Sequence, residues 1–69
     1  MWLHLIEDEE LHNLTKVRFI STDYSDGNRV ILHYSEYRTH IRFQSRGAAL
    51  NAFILINKAL HDGKEHLDI

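Results

Sequence analysis

His4, His12, His33, His40, His61 and His66 are the side chains with the widest chemical range in this chain. Imidazole can move a proton, meet an anion or hold a metal ion. None of the six stands four residues from another, so no helical ligand pair and no H-x-x-x-H signature exists. His33 and His40 are expected on facing strands, where two ligands could meet. A third would have to come from His4 or a carboxylate. The side chains beside them are Arg18, Arg38 and Arg42, and those cations oppose both a metal ion and an imidazolium. Neither a metal site nor a cofactor is expected.

The run Glu7-Asp8-Glu9-Glu10 could supply the paired carboxylates of general acid–base chemistry. As a contiguous run it is more simply a solvated loop. Ser21, Ser25, Ser35 and Ser45 fall at strand or turn positions, without a G-x-S-x-G elbow. There is no glycine-rich phosphate loop and no cysteine. A chain of 69 residues leaves little room for a deep pocket. Catalysis would need a site shared between subunits, and the chain reads as non-enzymatic.

The same size makes a single core marginal, and domains of this kind add a disulfide, a metal or a second subunit. Without cysteine, oligomerisation is the favoured stabiliser, and a reducing, cytoplasmic setting is expected. The formal net charge of −2 is not that of a dedicated nucleic-acid binder. No stretch is apolar enough to span a membrane, and no basic-then-apolar leader follows Met1. The whole chain is expected to be one mature domain.

Four strands and a helix are expected to position these groups. Residues 2–6 are short and apolar, and residues 15–22, 29–35 and 39–44 alternate with a period of two. Asp26-Gly27 marks one turn and Glu36-Tyr37 another. Ser45 is a suitable N-cap for a helix over residues 46–61, and Gly63 a suitable stop. Residues 64–69 are expected to fray. The predicted fold is α+β: a four-stranded antiparallel meander, β-β-β-β-α, with the helix packed on one face.

With Glu36-Tyr37 as a two-residue turn, Tyr34 faces Thr39, His33 faces His40, Leu32 faces Ile41 and Val30 faces Phe43. Alternation then gathers Leu3, Leu5, Val17, Phe19, Val30, Leu32, Tyr34, Ile41 and Phe43 on the core face. The opposite face carries Trp2, His4, Ile6, Lys16, Arg18, Ile20, Arg29, Ile31, His33, Arg38, His40, Arg42 and Gln44, and so five of the eight Lys and Arg residues. Such a face is either ordinary solvated sheet or a surface for single-stranded nucleic acid or another polyanion, with Trp2 as a stacking platform.

The helix offers a second surface. Ten of the thirteen residues from Ala48 to Leu60 are apolar, more than one stripe holds. Ala49, Ala52, Phe53, Ile56, Ala59 and Leu60 form the stripe expected on the sheet. Leu50, Ile54 and Leu55 fall outside it. Leu50 and Ile54 are one turn apart and form a patch, which points to a homodimer or a protein partner. No motif names a family. The strand order and the Phe43-Gln44-Ser45 junction into an alanine-rich helix are similar to small dimeric single-strand-binding domains and to the end of pleckstrin-like domains. That likeness is one of topology and implies no function.

Overall fold

The computed structural model describes residues 1–69 and has mixed α+β content: six strands in two sheets of three, and one helix. In chain order these are β1 (Trp2–Leu5), β2 (Glu10–Asn13), β3 (Phe19–Asp23), β4 (Asn28–His33), β5 (Arg38–Phe43), α1 (Arg46–His61) and β6 (His66–Asp68). The four-stranded meander is therefore corrected. Strands β3-β4-β5 form an antiparallel sheet on their own, and β1 is the centre of a second sheet ordered β2-β1-β6. No helix is long and apolar enough to cross a membrane.

The second sheet holds both departures from the expected element list. The acidic run is a turn, with Glu9 in the left-handed region at φ 54. Its last member, Glu10, opens β2 opposite Leu5. Strand β2 has one apolar residue, Leu11, and that residue is exposed, so it carries no alternating signal. At the other end, residues 66–68 do not fray. They pair in parallel with β1, Trp2 beside His66 and His4 beside Asp68. Trp2 N donates to Glu65 O at 2.8 Å, and Ile69 N donates to His4 O at 2.9 Å.

Strand β3 starts four residues later than its alternation implies. Asn13 Oδ1 accepts from the Thr15 backbone N at 3.0 Å and from the Thr15 hydroxyl at 2.7 Å. This local turn competes with a ladder and holds residues 14–18 out of the strand. The phase of β3 changes with it. Ile20 pairs with Leu32 and Thr22 with Val30, so Ile20 turns toward the core and Phe19 turns away. Phe19 is 58% exposed, where the alternation placed it inside. A slip of one residue moves every side chain of a strand to the other face.

The β4–β5 register differs by two residues, which leaves faces intact. Tyr34 N donates to Tyr37 O at 2.9 Å, so Ser35-Glu36 makes the turn and the two tyrosine rings stack at 4.5 Å. Val30 then faces Ile41, Ile31 faces His40 and His33 faces Arg38. The expected direct pairing of His33 with His40 is corrected.

The helix follows its caps. Ser45 is extended, and its hydroxyl accepts from Ala48 N at 3.0 Å. At the far end Lys64 N donates to Ala59 O, and Gly63 N donates to Leu60 O, with Gly63 at φ 69. This is a Schellman closure, which needs a left-handed residue and favours glycine. The helix lies over β3-β4-β5 and buries Ala49, Ala52, Ile56 and Ala59. Leu3 and Leu5 from the second sheet, with Leu14 just after β2, complete a core with Val30, Leu32 and Ile41. All eleven buried residues are apolar.

Candidate functional site

Three surfaces carry the side chains singled out by type and spacing. The first is the outer face of α1. Leu50, Ile54 and Leu55 are 46%, 54% and 38% exposed. Helical geometry sets Leu50 and Ile54 near the centre of the exposed arc, among exposed Gly47, Asn57, Lys58 and His61, and Leu55 at its edge. Ala49, Ala52, Ile56 and Ala59 fill the inner face and Phe53 and Leu60 flank it against the core, which leaves Leu50, Ile54 and Leu55 on the outer side.

The second surface is the open face of β3-β4-β5. Strand alternation and register bring Phe19, Ser21, Asp23, Arg29, Ile31, His33, Arg38, His40 and Arg42 to it. Two bonded groups occupy its middle. The Phe19 ring stacks on His33 at 4.1 Å, and His33 Nε2 is hydrogen-bonded to Ser21 Oγ at 2.8 Å. Arg29 Nη2 donates to Asp23 Oδ2 at 3.1 Å, and Arg29 Nη1 donates to His40 Nδ1 at 3.1 Å. Arginine has no acceptor, so His40 accepts through Nδ1 and carries its proton on Nε2. Asp23 is held below the usual carboxylate range, first by the hydroxyl and backbone N–H of Ser25, then by the Arg29 charge.

This arrangement redistributes the expected anion face. Arg29 is largely buried and engaged with Asp23. Trp2 lies in the other sheet, and Lys16 lies in the turn before β3, so neither shares the face. Arg18, just ahead of Phe19, alternates to the helix side and is exposed near Asn57 and His61, while Arg38, His40 and Arg42 are exposed on the open face. None of the three arginines is in an ion pair. Arg42 passes the β3–β4 turn at Gly27, whose φ of 111 strains any other residue; a Cβ there would meet Arg42 Nη1 at 3.3 Å, a contact the flexible guanidinium can relieve. The aromatic ring on this face is Phe19, which alternation over residues 15–22 alone places on the core side.

The third surface is the outer face of β2-β1-β6. His4 from β1 and His66 and Asp68 from β6 converge there. His4 Nδ1 lies 3.1 Å from Asp68 Oδ1, and His66 Nε2 lies 2.7 Å from the same oxygen. Hydrogen bonds from His66 and then His4 lower the pKa of Asp68. Exposed Trp2, Ile6 and Leu11 belong to the same end of the molecule. Spacing could not reveal this cluster, because a parallel strand pair joins the two ends of the chain. Comparison of the chain with family models, with curated proteins and with solved structures finds no match, so the reading of these surfaces rests on their chemistry alone.

Proposed function

We propose that this chain is a small non-enzymatic interaction module that associates weakly with a second copy of itself through the outer face of α1. The observation that carries the reading is the exposure of Leu50 and Ile54 at the centre of the helix face that the core leaves free. Burying a leucine or isoleucine fully is worth about 1.5–3 kcal/mol. At just under half exposure, each of the three side chains contributes about 0.7–1.4 kcal/mol on being covered. Six of them across a two-fold contact contribute about 4–8 kcal/mol, against an association cost of at least about 4 kcal/mol. The surplus sets a Kd of about 1 mM at its tightest from these residues. The module is thus monomeric when dilute and dimeric when concentrated, in keeping with a transient contact in a reducing compartment. Sedimentation over a wide concentration range tests it, with Leu50→Lys and Ile54→Lys each expected to move dimerisation to concentrations about thirtyfold higher.

A second reading has its own support on the open face of β3-β4-β5. Arg38 and Arg42 are exposed on it without an acidic partner, and the exposed ring of Phe19 lies at the Arg38 end. Guanidinium groups bind phosphates, and an aromatic ring stacks on unpaired bases. Binding to a labelled single-stranded oligonucleotide would weaken as salt rises, and the Arg38→Glu, Arg42→Glu double variant would lose it. Binding indifferent to salt or to both charge reversals would remove this reading.

A further inference from the structure

We propose that His4, His66 and Asp68 bind a divalent transition-metal ion of the zinc class, and that the ion fastens β6 to β1. One ligand atom from each residue lies within 4.8 Å of the others. A tetrahedral zinc ion sits about 2.0–2.2 Å from nitrogen and oxygen ligands, which separates those ligands by about 3.4 Å. Two edges of the triangle measure 3.1 and 2.7 Å. They need only small adjustment, and the third edge, between the imidazole nitrogens, closes by rotation of partly exposed side chains. No backbone movement is required.

The strands explain why these three meet. Residues 66 and 68 are two apart on β6 and so project to one face. Parallel pairing sets His4 directly beside Asp68 and Trp2 beside His66. Two imidazoles and one carboxylate are a nitrogen-rich set, which suits zinc, nickel, cobalt or copper over magnesium or calcium. With three protein ligands at an exposed site, water completes the coordination.

The local charge separates this cluster from the other histidine pair. His33 faces Arg38 across the ladder, and His40 is bonded to Arg29. At the outer face of β2-β1-β6 the single side-chain oxygen Asp68 Oδ1 receives both imidazoles. A cation placed there replaces two shared protons and meets a carboxylate.

The consequence is mechanical. His4 and Asp68 stand 64 residues apart in sequence, and β6 is three residues long. An ion shared between them closes nearly the whole chain into a loop, and a closure of that length restricts the unfolded chain strongly. The site is independent of the α1 contact, because its ligands lie on a different element.

The test is calorimetric titration of the full chain with zinc chloride, joined to thermal unfolding and to imidazole NMR spectra. One ion per chain is expected. At free zinc about a hundredfold above Kd, Tm rises by about 10 °C or more. The signals of His4 and His66 move, and those of His12, His33, His40 and His61 stay. His66→Gln and Asp68→Asn each weaken binding at least about tenfold, the scale on which losing a ligand or its close partner is felt. Both alter exposed positions, so the apo fold survives to be measured. Magnesium and calcium leave Tm unchanged. An absence of zinc binding overturns the proposal. So does affinity unaffected by His66→Gln, signal movement confined to His33 and His40, or an ion that bridges two copies.

Discussion

Replacing Ile56 by alanine and Ile54 by alanine compares two identical deletions two residues apart on α1. Ile56 is fully buried, and Ile54 is 54% exposed. The alanines around Ile56, at positions 49, 52 and 59, have no side-chain reach with which to refill the space. Large-to-small changes at such sites cost about 2–5 kcal/mol, and a site unable to collapse falls in the upper half, about 4 kcal/mol. A domain of 69 residues has a total stability of about 3–10 kcal/mol. Ile56→Ala is therefore expected to lower Tm by at least about 16 °C, at about 4–8 °C per kcal/mol, or to leave the chain unfolded. Ile54→Ala is expected to cost about 1 kcal/mol or less in dilute solution. Thermal and urea unfolding at low micromolar concentration measure both, with the slope of the urea transition checking that each variant still unfolds in one step. Equal destabilisation by the two changes would refute the orientation of the helix. With it would fall the argument that Ile54 is free for a partner.

Three further outcomes follow from the same geometry. Ser45→Ala removes the acceptor for Ala48 N and is expected to cost about 1 kcal/mol by urea unfolding, whereas Ser45→Asp retains the cap. Asp23 has a folded pKa below its unfolded value of about 3.9, so the stability it contributes is present above that value and is lost as pH falls through the folded one. An acid titration of stability is expected to be flatter below pH about 4 in Asp23→Asn than in the wild type. Removing residues 66–69 exposes apolar surface that Leu67 and Ile69 cover, and is expected to cost about 2 kcal/mol by thermal unfolding.

What was legible in the residues is what local chemistry determines. Ser45, Gly63 and the apolar stripe between them state the helix to its ends, because caps and periodicity act within a few residues. The apolar alternation of β4 and β5 was legible, and their two-residue shift in register left each face unchanged. Strand β3 was misplaced because Asn13 and Thr15 form a turn whose hydrogen bonds leave no trace in hydrophobic pattern. That error inverted Phe19 and Ile20 and moved the aromatic ring to the open face. Strands β2 and β6 are short, polar edges, so a pattern based on burial passes over them. Their pairing with β1 also split Trp2 from the arginines. The free helix surface could be anticipated, since exposure of Leu50 and Ile54 follows from angles on a helix. The His4, His66 and Asp68 cluster could not, since it depends on a contact across the length of the chain.

Sedimentation equilibrium of the wild-type chain from dilute to millimolar concentration tests the central claim most directly. The account predicts a mass that begins at 8.2 kDa and rises toward twice that value as the chain reaches millimolar concentration, with a Kd no tighter than about 1 mM. In Ile54→Lys about 1 kcal/mol is lost from each of two protomers, so the same climb shifts to concentrations about thirtyfold higher. A mass of 8.2 kDa throughout, or a dimer indifferent to Ile54→Lys, would contradict it.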